Sequence, residues 1–264
     1  MITMDELILR ALIASVLISL NASIAGTLTV FRRASFLVAG SAHSALAGVA
    51  LALFLNSIGF SAHYFLFAVI AAVFFAVLSA KAARRGDVNV GIATAFSLSM
   101  ALAAIFIAMT RNSASNAWQF LFGDVLLLTL DDFVIVAITT AFVLIAISFF
   151  YHKFIFISFD PSGAEATCIN VYLYDFLLIA LISISVVTAL KAVGAILVFS
   201  IFIAPSSTAR LLGRNLSSVF LISFVLALSS LYFGLLTSFY FSIPSGAVAA
   251  AIASSIYFAV SWRG

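Results

Sequence analysis

The stretch "FRRASFLVAGSAHSALAGVALAL", residues 31–53, opens with two arginines and then runs on without formal charge. Within it Gly40, Ser44 and Gly48 recur at i, i+4 and i+8. Such a row of small side chains lets a second helix approach closely inside a membrane. Ala39, His43 and Ala47 form the adjacent row. His43 therefore falls at the edge of a close-packed face, turned from lipid, where intramembrane ionisable groups meet a bundle interior or a watery path. Imidazole is also the commonest side-chain metal ligand. Two roles fit His43, a ligand on a substrate path or a hydrogen bond to a neighbouring helix, and the residues leave both open.

The surrounding composition sets the class. Of 264 residues 65% are hydrophobic and 8% are charged, against roughly 25% charge in soluble domains. Such a chain cannot cover a water-facing surface and must dissolve in lipid. Its apolar runs are long and continuous rather than short and alternating, which excludes a membrane β-barrel. The fold class is an all-α polytopic membrane protein. About 20 apolar residues span a bilayer as helix, and spans are predicted at 7–30, 35–57, 62–82, 88–110, 131–151, 171–190, 193–209, 215–241 and 244–261. That makes about nine transmembrane helices. Residues 112–130 are too polar at their start for a clean span and read as a surface or re-entrant helix. No long linker interrupts the chain, so residues 1–264 form a single domain.

Basic residues mark one side. Arg32 and Arg33, Lys81, Arg84 and Arg85, His152 and Lys153, Arg210 and Arg214, and Arg263 follow the odd-numbered spans. The positive-inside rule then places the N-terminus outside and the C-terminus in the cytoplasm, with the chain multi-pass in the cytoplasmic (inner) membrane. The start, "MITMDELILRALIASVLISL", reads as a retained first span rather than a signal peptide. The net charge of +3 suits membrane orientation and excludes a nucleic-acid binder. The single cysteine, Cys168, allows no disulfide within the chain.

Four further segments carry signals. In "FDPSGAEATC", residues 159–168, Asp160 can cap a helix with Pro161 at its first position, and the Ser162/Glu165 spacing also suits a capping box. A short helix of about two turns there is either a docking knob or an ordinary capped loop. In "VGAILVFSIFIAPSSTARLLGRN", residues 193–215, Pro205 removes a helix hydrogen bond and the hydroxyls after it can satisfy freed carbonyls, which makes a kink or hinge. "LFGDVLLLTLDD", residues 121–132, puts Asp124 near the outer surface, and "YFSIPSGAVAAA", residues 240–251, is a turn followed by a helix of small residues. There is no G-x-x-x-x-G-K-[ST], H-E-x-x-H or G-x-S-x-G. The chain is read as a non-enzyme with no cofactor of its own.

Taken in order, "FRRASFLVAGSAHSALAGVALAL", "FLFGDVLLLTLDD", "FDPSGAEA", "VGAILVFSIFIAPSSTARLL" and "FYFSIPSGA" resemble the signature segments of the zinc/manganese/iron ABC importer permeases. The matches run over residues 31–250. The resemblance implies a type II ABC importer permease, related in architecture to cobalamin and siderophore permeases and assembled as a homodimer with a second copy of itself. It implies cytoplasmic ABC ATPase subunits that hold ATP and Mg, and an extracytoplasmic metal-binding protein that delivers a divalent metal. It also implies a coupling segment at about 157–170, with Asp160, Pro161, Ser162, Gly163, Ala164 and Glu165 against the ATPase. His43 is then the substrate-pathway and metal residue, and Pro205 the hinge.

Many members of that family carry an aspartate four residues before the histidine, so that a carboxylate and an imidazole share a cation on one helix face. Here that position is Ala39, and Ser242 stands where another aspartate often precedes the late P-S-G turn. A bare zinc or manganese ion, a different ion and a chelated metal all stay open as substrates. Two rival readings are an ATP-independent secondary transporter, with Asp175 as its main coupling acid, and an intramembrane enzyme, for which no catalytic pair is visible.

Overall fold

The computed structural model describes residues 4–83, 88–110, 123, 125, 128–195, 197–241 and 243–262. Arg84, Arg85, Arg111, Asp124, Ser242, Arg263 and most of the expected 112–130 helix lie outside the described residues. Within them the chain is helical throughout: α1 (Met4–Phe31), α2 (Phe36–Ser57), α3 (Tyr64–Ala83), α4 (Val88–Met109), α5 (Leu130–Phe159), α6 (Pro161–Ala166), α7 (Val171–Val193), α8 (Val198–Leu212), α9 (Leu216–Phe241) and α10 (Ser245–Ser261). Seven of these are long and apolar enough to cross a membrane, so the chain is a multi-pass membrane protein. The apolar helices α8 and α10 are shorter, at 15 and 17 residues.

Local chemistry sets the boundaries. Arg33 takes a left-handed φ of 55° after α1, and the Ala34 N–H reaches back to the Thr29 carbonyl at 3.2 Å. This closes α1 by the Schellman pattern, with arginine where glycine is usual. Gly194 at φ 91° ends α7, so the expected span 193–209 begins later, at Val198. Only glycine adopts that backbone freely. At the start of α5, Thr129 and Asp132 form a reciprocal capping box. The largest departure is the length of α5, which continues for 30 residues to Phe159. His152 and Lys153 thus belong to a helix rather than to a connection, because "FFYHKFIFISF" interrupts the apolar run without any helix-breaking residue.

Helices α2 and α7 are the bundle interior, each with 78% of an 18-residue stretch buried. The small-residue row of α2 works as a packing seam. A Cβ on Gly40 would enter the Phe75 ring of α3, and one on Gly48 would meet the Phe67 backbone. Ser44 and Ser99 join α2 to α4 at 2.5 Å, and Ser41 and Ser183 join α2 to α7 at 2.8 Å. Asn21, inside α1, is fully buried and links three helices. Its Nδ2 donates to Thr140 Oγ1 of α5 at 2.6 Å, and its Oδ1 accepts from Ser185 Oγ of α7 at 2.7 Å.

The two ends of the bundle differ. At one end Phe31 stacks near Phe159 at 5.1 Å, Arg32 pairs with Asp175, and Arg210 donates to the Val30 carbonyl. At the other, Asn56 holds the α2–α3 turn through both the N–H and the carbonyl of Ala62, and Lys191 pairs with Asp132.

Interhelical polar pairs in membranes couple by about 0.6 kcal/mol on average and up to about 1.7. A double-mutant cycle of Asn21→Ala and Thr140→Ala, read by denaturant unfolding in detergent, is expected at the upper end of that range. A coupling indistinguishable from zero would make the contact incidental.

Candidate functional site

The histidine sits on an open strip along the first half of a helix whose neighbouring faces are buried there. Phe36, Ala39 and His43 of α2 fall three and four residues apart on one face. Phe36 is exposed and the other two are half-buried, while Leu37, Val38, Gly40, Ser41, Ala42, Ser44 and Ala45 are buried. The strip lies between α4 and α8. The Phe96 ring stands edge-on to His43 at 5.1 Å and 82°, and Phe36 meets Phe199 at 6.2 Å.

His43 Nδ1 is buried and has no hydrogen-bond partner among the described residues. The hydrogen bond to a neighbouring helix, which was the packing role open to this residue, is not made by that nitrogen. Leaving a buried polar atom unsatisfied costs about 1–3 kcal/mol, and a native structure that keeps one calls for a reason. The strip carries no carboxylate, because Ala39 occupies the position one turn before His43. Among the described residues no group of three His, Cys, Asp or Glu side chains is placed to hold a metal ion. The strip of one protomer therefore carries a single imidazole and no carboxylate.

The second site is the knob at the far end of α5. Asp160 caps α6, its Oδ1 accepting from the Gly163 N–H at 2.9 Å, with Pro161 in the first turn. The alternative box from Ser162 to Glu165 is not used, because the helix has already begun at Pro161. A Cβ on Gly163 would press into the Asp160 carboxylate, so glycine at this position is what lets the cap fold over the helix. Ala164 is the buried residue of α6 and seats it. Asp160, Pro161, Ser162 and Glu165 are exposed and Gly163 is half-buried. Cys168, at φ 60°, closes the helix as Arg33 closes α1, with the Ile169 N–H on the Ala164 carbonyl at 3.1 Å.

Pro205 is buried within α8, which continues through it. The hydroxyls after it do not serve the carbonyl that the proline leaves free. Ser206 bonds Ser223 of α9 at 2.9 Å, and Thr208 bonds the Ala204 carbonyl at 2.8 Å.

Two acids of the spans, Asp175 and Asp132, are occupied. Asp175 is ion-paired with Arg32, and Asp132 with Lys191. Asp132 and Lys191 border a cavity of about 250 Å³ with His63, Thr129 and Asp131. A secondary transporter would need a free carboxylate for ion coupling, and neither of these pairs offers one. Sequence reasoning missed both pairs and the Asn21 junction. An asparagine midway along an apolar run is a legible signal, but which lysine meets which aspartate 59 residues away is not.

The described residues thus form an all-helical membrane bundle with a half-open histidine strip and a capped helical knob. The chain belongs to the ABC 3 transport family, whose model matches residues 4–264. It is 31% identical over 249 residues to the manganese transport system membrane protein MntC of Listeria innocua, covering 94% of this chain and 88% of that protein. The manganese import system permease protein ScaB of Streptococcus gordonii is 30% identical over 253 residues, covering 96% and 89%. The high-affinity zinc uptake system membrane protein ZnuB of Haemophilus influenzae is 27% identical over 243 residues, covering 92% of each. Among solved structures, PsaBC from Streptococcus pneumoniae in complex with Fab superposes with a TM-score of 0.83 at 26% identity, covering 96% of this chain and 90% of that one.

An N-cap of this kind contributes about 1 kcal/mol. Asp160→Ala is expected to speed hydrogen exchange at the first amides of α6 by about fivefold, with the amides of α5 unchanged. Equal protection in both proteins would remove the cap from the account of the knob.

Proposed function

We propose that this chain is the permease subunit of an ATP-binding-cassette importer and carries a divalent metal ion (zinc, manganese or iron) across the cytoplasmic membrane by alternating access. Family membership and the manganese and zinc systems named among its relatives support the reading. The observation that carries the site is the unpartnered Nδ1 of His43 on the open strip of α2. A homodimer that buries this strip supplies a second imidazole, and the two protomers then line the path together.

Nine crossings of the type II arrangement follow if α8 and α10 cross along with the seven longer helices. The α6 end is cytoplasmic and the N-terminus lies outside. Arg32, Arg33, Lys81, Lys153, Arg210 and Arg214 all gather at the α6 end, which the positive-inside rule favours. A separate ATPase, with its ATP and Mg, docks on Asp160 to Glu165, and an extracytoplasmic metal-binding protein delivers the ion. Pro205 is the hinge of α8.

A second reading is uptake of a chelated metal. It is favoured by the lack of any carboxylate on the His43 strip, since a dehydrated divalent ion wants harder or more numerous ligands than imidazole alone.

Uptake into vesicles holding this chain with its ATPase and binding protein tests the substrate. His43→Ala is expected to lower ATP-dependent uptake of one of zinc, manganese or iron by roughly tenfold, the equivalent of about 1.4 kcal/mol. Unchanged uptake in the variant would make His43 a packing residue, and no uptake of any free ion would favour the chelate. Asp160→Lys together with Glu165→Lys is expected to abolish co-purification of the ATPase while leaving the membrane domain folded. Association that survives both changes would move the docking site elsewhere.

A further inference from the structure

At the α6 end a cavity of about 570 Å³ opens between the starts of α2 and α4, the end of α8 and the second half of α10. Arg33 and Arg210 line it, together with Ser35, Ser207 and Asn89. Among the described residues that line it none is acidic. Among the described residues neither arginine forms an ion pair: the pairs there are Arg10–Glu6, Arg32–Asp175 and Lys191–Asp132. The contrast with Arg32, one residue away and paired, is direct.

The Arg210 guanidinium is held in place by two contacts. Arg210 donates to the Val30 carbonyl at 3.4 Å and lies 5.5 Å over the Phe31 ring. Arg33 is presented by the left-handed turn that closes α1. Ser35 precedes the 22-residue α2 and makes no side-chain capping bond, so its hydroxyl and the positive helix end meet the same cavity. Two arginine forks, hydroxyls and a helix N-terminus are the donors that a tetrahedral phosphate takes up. Leu211, 56% exposed and outside the His43 strip, flanks the opening with apolar surface.

We infer that this cavity binds a phosphate-bearing anion, and that the headgroup of an anionic phospholipid is the form its apolar flank accommodates. Basic pockets between membrane helices hold such headgroups elsewhere. The inference needs only that the chain sits in a membrane and is independent of the transported substrate.

Native mass spectrometry of the full-length chain in detergent tests it, with phosphatidylglycerol or phosphatidylcholine added. Phosphatidylglycerol is expected to be retained preferentially. Arg33→Gly should lower that retention about fivefold, and glycine suits the left-handed φ, so charge is removed without backbone strain. Arg210→Gln should act in the same direction. Arg214→Gln, an exposed arginine at the same end that does not line the cavity, should change nothing. Inorganic phosphate is the second arm. A thermal shift by phosphate that Arg33→Gly abolishes, without lipid preference, would assign the site to a free anion. Equal phosphatidylglycerol retention in wild type and both cavity variants, or an equal drop in Arg214→Gln, with no phosphate effect, would overturn the inference.

Discussion

The bundle depends on one constraint: hydrocarbon offers no hydrogen bonds, so every polar group on a span must be answered by the protein. Most hydroxyls are answered within their own helix. Ser15, Ser19, Thr29 and Thr208 each donate to the carbonyl four residues back. The remainder tie helices to each other, and they set which helices are neighbours: Ser41 to Ser183, Ser44 to Ser99, Ser206 to Ser223, and Asn21 to both Thr140 and Ser185. Lipid tails are as apolar as leucine, so burial alone gives helices little reason to associate. Close approach at Gly40 and Gly48 and these few bonds carry that burden.

Against that background His43 Nδ1 is informative. Thr27 and Ser79 also have buried oxygens without partners among the described residues, and so does Arg32 a buried Nη1, though its guanidinium is already paired with Asp175. A hydroxyl rotates to suit its surroundings, whereas the imidazole is held edge-on by Phe96. The strip it shares with Phe36 and Ala39 is also left open by the protomer in the first half of α2. The proposed transport along this strip needs only weak, brief contact with the cargo, which a lone imidazole can give. The paired acids Asp132 and Asp175 serve the scaffold instead.

Much of this was legible in the residues, and the reasons for the gaps are physical. Long apolar runs announce membrane helices, and the Asp160–Pro161 step announces the start of α6. The row Gly40, Ser44, Gly48 announces a close crossing but does not name the partner, which is α3 at the glycines and α4 at the serine. The end of α5 was hidden, because His152 and Lys153 lower hydropathy without breaking a helix. The start of α8 was hidden by Gly194, whose turn lies inside a run that composition reads as continuous. Ion pairs across dozens of residues exist only once the helices are placed.

The length of α5 has a mechanical consequence. From Thr140, where Asn21 grips it, to Phe159 is about 29 Å of helix at about 1.5 Å per residue. A tilt of about 10° about that grip swings the knob at its tip by about 5 Å. In the proposed alternating-access cycle the junction at Asn21 would serve as a fulcrum, with α5 a lever arm and the capped helix its handle.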